Sequence, residues 1–160
     1  MTPSRNNRRK LEHLRIVSED PDADRRRGYF EALLLDHRAL PEIDLQTVDT
    51  ALPFCGRRMR LPLLISSMTG GDADELRRIN RNLATAAAAC GIGLAVGSQR
   101  VMFDNPAARD SFALREHAPD AFLAANLGAV QLNHGFGLAE CRQAVEAVGA
   151  DALCLHLNPL

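Results

Sequence analysis

Four short apolar runs recur along the second part of the chain at intervals of about 30 residues. They begin near residues 63, 93, 121 and 152, and each is bounded by glycine, proline or polar residues. Between the first two runs, Leu76, Ile79 and Leu83 recur at the spacing of one helical face. Apolar strands that alternate with amphipathic helices are typical of parallel sheets covered on both faces. The pattern therefore predicts four strand–helix units of an α/β protein.

Local signals place the ends of the predicted helices. Asp72 or Asp74 can cap a helix that Gly91 ends in the left-handed conformation. Asn105-Pro106 is typical of a cap followed by the first helical position, and this predicts a second helix that ends near Pro119. A third apolar stripe, from Leu138 to Val148, ends at Gly149.

Periodicity alone allows an open doubly wound sheet or a barrel. No Gly-x-Gly-x-x-Gly dinucleotide fingerprint follows the first strand, and this favours the barrel. The 160 residues are too few for eight strand–helix units. We therefore expect the N-terminal half of a TIM (β/α)8 barrel, with about four βα units over residues 61–160 and an N-terminal arm and lead-in segment over residues 1–60.

Composition narrows the class of protein. A net charge of −1 indicates neither nucleic-acid binding nor a membrane-surface partner. No apolar run approaches the roughly 18 residues of a membrane span, and the basic N-terminus lacks the apolar core of a secretory signal. The four cysteines are widely spaced and form no Cys-x-x-Cys pair. We interpret them as free thiols, which predicts a cytoplasmic location.

Polar residues follow the predicted strands at the point where each strand ends. Such residues are commonly helix caps, but the carboxyl ends of parallel strands meet on one rim, where sites are built. Hydroxyl and amide groups suit the polar edge of a nucleotide or flavin, and an arginine fork suits a phosphate. These strand-end residues are Ser66, Ser67, Ser98, Gln99, Arg100, Asn126, His156 and Asn158.

Several motifs carry a family resemblance in order along the chain. They are Arg9-Lys10-x-x-His13, residues 37–43 (HRALPEI), 66–71 (SSMTGG), 96–100 (VGSQR), 125–133 (ANLGAVQLN) and 155–159 (LHLNP). Together they resemble the motifs of type 2, FMN-dependent isopentenyl-diphosphate isomerases, from about residue 5 to the last residue.

The resemblance implies the roles of particular residues. It implies FMN contacts at Ser67, Met68, Thr69, Ser98 and Asn126. It implies substrate-diphosphate contacts at Arg9, Lys10, His13, Ser98, Gln99 and Arg100. It implies a catalytic pocket at His156 and Asn158. Lys10 is the single lysine of the chain.

The implied reaction is a 1,3-proton shift that interconverts isopentenyl and dimethylallyl diphosphate. Reduced FMN is expected as cofactor, with NAD(P)H as its reductant and Mg²⁺ at the diphosphate. The small-molecule diphosphate is the expected substrate, and a homo-oligomer is the expected assembly. No metal ligand is predicted here, because the Gln and Glu that follow in the family pattern come after the position of Leu160. The alternatives are a truncated, non-catalytic barrel fragment and another FMN-dependent barrel oxidoreductase.

Overall fold

The computed structural model describes residues 5–20, 22, 29–67 and 69–157. Its α-helices are α1 (Arg5–Glu19), α2 (Asp74–Cys90), α3 (Arg100–Asp104) and α4 (Leu138–Val148). Its strands are β1 (Leu52–Phe54), β2 (Arg57–Met59), β3 (Leu64–Ile65), β4 (Gly93–Ala95), β5 (Leu123–Gly128) and β6 (Ala152–His156). Short 3₁₀ helices lie at Tyr29–Ala32, Leu45–Thr47, Pro106–Ser111, Arg115–His117 and Ala129–His134. No helix in these ranges is long and apolar enough to cross a membrane.

The strands form two separate sheets. β3, β4, β5 and β6 are parallel neighbours in chain order, so the four predicted strands are present where the apolar runs place them. β1 and β2 form a two-stranded antiparallel hairpin. All six positions of β5 are buried, as expected of a central parallel strand covered on both faces.

The expected half of a TIM barrel is corrected to a small mixed α/β fold. The parallel sheet is open, and its outer strands β3 and β6 each pair with one neighbour only among the described residues. The strands also include an antiparallel hairpin, which is no part of the βα repeat of a barrel. Strand spacing along the chain shows that strands are parallel neighbours, but it does not show whether a sheet closes.

The two faces of the sheet are covered unequally. The larger core packs α2, α3 and α4 against the side chains of Leu94, Val96, Leu123 and Leu127 on one face. On the other face, the hairpin residue Met59 is buried with neighbouring sheet residues, and the Phe54 and Phe122 rings meet edge-on at 4.8 Å. The sheet is therefore fixed from both sides near its amino end.

The predicted helix from Asn105 to Pro119 is wrong. Asn105 does cap a helix start, since its side chain accepts a hydrogen bond from the Ala107 N–H at 3.1 Å, but the segment divides into two short 3₁₀ turns. The reason lies in the packing, because Phe112 is fully buried and Ser111 bonds to the loop after β3. The predicted ends at Gly91 and Gly149 are confirmed, with φ of 66° and 67°.

The polar N-terminal arm is a helix. On α1, Arg15 bonds to Glu12 at 2.8 Å and to Glu19 at 3.0 Å, the i,i+3 and i,i+4 pairs that support a helix with little apolar surface. Residues 1–4, 21 and 23–28 of the expected N-terminal arm lie outside the described residues.

Asp151 joins the hairpin to the amino edge of the sheet. Its carboxylate accepts hydrogen bonds from Arg57 Nε at 2.8 Å, Arg115 Nη2 at 2.8 Å and the Leu123 N–H at 2.9 Å. Burial alone raises the pKa of this carboxyl, but the bonds from Leu123, Arg57 and Arg115 outweigh it and leave the pKa below its usual value. The carboxylate therefore stabilises the fold above the pKa of the unfolded chain, and this stabilisation is lost as pH falls through the lower folded-state pKa.

We expect Asp151→Asn to lower the free energy of unfolding at pH 7 by about 2 kcal/mol, because the half-buried guanidinium groups of Arg57 and Arg115 lose an anionic partner. Urea unfolding measures the change. The matched control is Asp49→Asn, which removes an exposed pair with Arg58 and costs less than about 0.5 kcal/mol. The difference in the free energy of unfolding between wild type and Asp151→Asn should narrow as pH falls through the acid range. Equal effects of the two substitutions would contradict the role of Asp151.

Candidate functional site

Three polar side chains meet at the carboxyl edge of the parallel sheet. Asn126, near the end of β5, donates from Nδ2 to Ser67 Oγ at 2.7 Å, and its Oδ1 lies 2.7 Å from His156 Nδ1. Ser67 follows β3 and His156 ends β6, so one amide bridges residues from both outer strands. Asn126 is buried, whereas Ser67 and His156 are half-buried. The structure thus brings together three of the residues singled out in the sequence.

Gln99 lies behind this edge rather than on it. Its side chain is fully buried, and Oε1 accepts a hydrogen bond from the Asn126 N–H at 2.9 Å. Its Nε2 donates to the Ala144 carbonyl of α4 at 2.8 Å. Both ends of the amide are occupied by backbone groups and none of it faces solvent, while its expected diphosphate contact stays a prediction.

The loop after β3 is held in place by close backbone contacts. The Gly97 N–H donates to the Thr69 carbonyl at 3.0 Å, and a Cβ at Gly97 would lie 2.3 Å from that same oxygen. The Gly71 N–H is bonded to Ser111 Oγ at 3.1 Å. Thr69 is buried, and its hydroxyl has no hydrogen-bond partner among the described residues. Met68 lies outside the described residues, so its expected flavin contact stays a prediction.

Helix α1 reaches this loop through a lysine. Lys10 Nζ donates to the carbonyl of Gly70. Burial, together with the positive charges of Arg9 and Arg100, lowers the pKa of Lys10 from 10.5 to about 8. Within the described ranges, no carboxylate forms an ion pair with Lys10, Arg9 or Arg100. We call these three side chains the cation cluster (Arg9, Lys10 and Arg100).

Three further predicted residues are less defined by the structure. His13 is exposed one turn after Arg9 on α1, and Ser98 is half-buried beside Gln99. Neither has a side-chain contact that assigns it a ligand, so their expected roles stay predictions. Asn158 lies outside the described residues.

Sequence reasoning missed Gly128. This residue pairs with His156 across β5 and β6, and a Cβ at position 128 would lie 3.2 Å from His156 Nε2. A glycine in a buried strand was the available signal, since glycine there often marks a close approach. The glycine leaves space around the second ring nitrogen.

The described part of the chain contains no group of three or more His, Cys, Asp or Glu side chains that could hold a metal ion. These residues therefore do not fit a metal centre built by protein ligands alone. The described residues instead place the cations Arg9, Lys10 and Arg100 at the loop after β3, and this loop also contacts the Asn126–His156 pair.

Comparison with known proteins gives a consistent set of relatives. The chain is 58% identical over 152 residues to an isopentenyl-diphosphate delta-isomerase from Paracoccus zeaxanthinifaciens, which covers 95% of this chain and 44% of the relative. It is 47% identical over 160 residues to the enzyme of that name from Hydrogenovibrio crunogenus, covering 100% and 47% of the two chains. For the one from Methanosarcina mazei the identity is 43% over 153 residues, covering 94% and 41%. No protein-family model matches the chain.

These relatives also set the limits of the comparison. The chain spans less than half the length of each of them. Their shared name specifies an isopentenyl-diphosphate delta-isomerase, with neither a type nor a flavin. The expected assignment to the type 2, FMN-dependent enzymes is therefore corrected. What the comparisons show is similarity to isopentenyl-diphosphate delta-isomerases.

Proposed function

We propose that this protein is an isopentenyl-diphosphate isomerase. In this proposal the cation cluster holds the diphosphate, and His156 faces the five-carbon group. Similarity to enzymes of that name over nearly the whole chain supports the substrate class. The observation that carries the proposal is the loop after β3. In this loop the Gly70 carbonyl accepts a hydrogen bond from Lys10, and Ser67 accepts one from the Asn126 amide that contacts His156.

The charge of the cluster suits a diphosphate. Arg9 is exposed and Arg100 is half-buried, while Lys10 is anchored to the loop. Guanidinium groups bind phosphate oxygens through two parallel hydrogen bonds, and an ammonium adds a point charge. The three cations repel each other in the free protein, and the charges of Arg9 and Arg100 add to the effect of burial in lowering the pKa of Lys10. A bound polyanion relieves this repulsion, so its binding is favoured.

The reaction needs a proton added at one end of a three-carbon unit and another removed at the opposite end. The imidazole of His156 can hold or release a proton at a fixed position. The buried Asn126 amide orients the ring, and the anchored diphosphate would fix the distance of the carbon chain from it. The 1,3-proton shift changes no oxidation state.

The experiment that tests substrate recognition is calorimetric titration with isopentenyl diphosphate and with isopentenol. We expect the diphosphate to bind at least about 100-fold more tightly, because each charge-assisted hydrogen bond contributes about 1.5–3 kcal/mol. Equal affinity for the alcohol would show that the cation cluster does not recognise this ligand. Turnover is assayed with Mg²⁺ alone and with Mg²⁺, FMN and NADPH together. The comparison shows whether the reaction requires the flavin and its reductant in addition to the metal ion.

Two further properties are part of the proposal. We propose a homo-oligomer, supported by Leu155 of the outer strand β6, which is 44% exposed, and by Leu138 of α4, which is 67% exposed. Exposed apolar side chains at an open sheet edge favour association. We also propose that residues 1–60 act as an arm and lead-in to the unit formed by residues 61–160, supported by the contact of Lys10 with Gly70.

A further inference from the structure

We infer that Asn126 sets the tautomer of His156, so that Nδ1 carries the proton and Nε2 is left as the open, unprotonated nitrogen. The donor–acceptor pattern of the amide carries this inference. The Nδ2 group of Asn126 donates to Ser67 Oγ at 2.7 Å, which leaves Oδ1 towards His156 Nδ1 at 2.7 Å. An amide oxygen only accepts, so the neutral ring bonds to it through an Nδ1–H. The role of Nε2 towards a ligand rests on the proposed function.

Gln99 is the positioning residue behind this pair. Its backbone N–H donates to the Asn126 carbonyl at 2.9 Å, while its Oε1 accepts from the Asn126 N–H at 2.9 Å. Residue 126 is thus held at both backbone groups by one neighbour. The Gln99 Nε2 in turn donates to the Ala144 carbonyl at 2.8 Å, which ties the assembly to α4. The Gln99 amide thus supplies both an acceptor for the Asn126 N–H and a donor for the Ala144 carbonyl.

Gly128 keeps the open nitrogen accessible. A Cβ at position 128 would lie 3.2 Å from His156 Nε2 and 3.3 Å from Cε1, closer than ordinary van der Waals contact. The ring therefore cannot keep its position when residue 128 carries a side chain. The same residue that lies opposite His156 in the β5–β6 pairing also leaves room on its Nε2 side.

Nitrogen NMR of the histidine rings tests the tautomer directly in the ligand-free protein. At a pH where the ring is neutral, we expect His156 to show a protonated Nδ1 and an unprotonated Nε2. Asn126→Ala should move the population towards the Nε2–H form, while Asn126→Asp, which retains the acceptor, should keep Nδ1–H. His117, in the turn at Arg115–His117, serves as an internal control whose ring signals stay unchanged. A wild-type His156 mainly in the Nε2–H form, or an unchanged tautomer in Asn126→Ala, would overturn the inference.

A second pair of variants tests the role of Gln99. Gln99→Met matches the size of the side chain but removes both amide bonds, although residue 99 does not touch the ring. We expect the His156 signals to shift in the same direction as in Asn126→Ala, with a partial population change. A Gln99→Met spectrum identical to wild type for a protein that still folds would refute the positioning role. If the variant does not fold, Gln99→Leu, which also lacks both amide groups, gives the same decision. These readouts need no substrate, so they are independent of the isomerase assay.

Discussion

Replacing His156 with glutamine is expected to lower kcat for isopentenyl diphosphate by about 100-fold or more, because a positioned acid–base group contributes about 10²- to 10⁴-fold to a proton transfer. The ring is held 2.7 Å from the buried Asn126 amide, and its Nε2 side is free of side-chain bulk at Gly128. Substrate affinity should change little, since the cation cluster is untouched. Steady-state kinetics with isopentenyl diphosphate measures the change in kcat.

His117→Gln is the matched control for this substitution. His117 lies in a 3₁₀ turn at the amino edge of the sheet, beside Glu116. Its loss should leave kcat within about twofold of wild type, since surface substitutions away from a site have small effects. An unchanged kcat in His156→Gln, with a normal urea transition, would remove His156 from the proposed mechanism.

Replacing Lys10 with alanine is expected to weaken isopentenyl diphosphate binding by about 10- to 100-fold, the value of one charge-assisted hydrogen bond. Lys10 is the one cation of the cluster that is anchored to the loop, through the Gly70 carbonyl. Calorimetric titration measures the dissociation constant. The control is Arg78→Ala, which removes the same charge from an exposed position on α2 and should change affinity less than about threefold.

The pH dependence of binding gives this prediction a second test. The pKa of Lys10 is about 8, lowered from 10.5 by burial and by Arg9 and Arg100. The charged form binds the diphosphate, so affinity should fall as pH rises above 8 and the ammonium loses its proton. Lys10→Arg stays charged over this range and should lose this fall. The same decline in wild type and Lys10→Arg would mean that another group titrates.

The sequence predicted the strands because their signal is local. The apolar runs near residues 93 and 152 correspond to β4 and β6, and Gly91 ends α2 in the left-handed conformation that favours glycine. Helix α1 was not predicted, since its residues are mostly polar. Sheet closure could not be predicted either, because it depends on which strands pair rather than on any strand's own sequence.

The sequence predicted the polar side chains at the edge of the sheet, but it did not predict the buried hydrogen bonds of Gln99 that hold them. Ser67, Asn126 and His156 lie at or just after the carboxyl ends of strands, and the geometry of a parallel sheet brings such residues together. Gln99 has the same appearance in the sequence, yet it is fully buried. Tertiary packing decides whether a polar side chain at a strand end faces a ligand or bonds to the backbone. Gln99 bonds to the Ala144 carbonyl of α4, and a contact so distant in sequence could not be predicted.

Deuterium incorporation tests the central claim most directly. Isopentenyl diphosphate is incubated in D₂O with the protein expressed from its complete gene, with Mg²⁺, FMN and NADPH supplied, and the products are followed by proton NMR. The proposed 1,3-proton shift predicts dimethylallyl diphosphate that carries deuterium from solvent, formed at least about 100-fold more slowly by His156→Gln. Recovery of unchanged, unlabelled isopentenyl diphosphate from the wild-type protein would contradict the proposal.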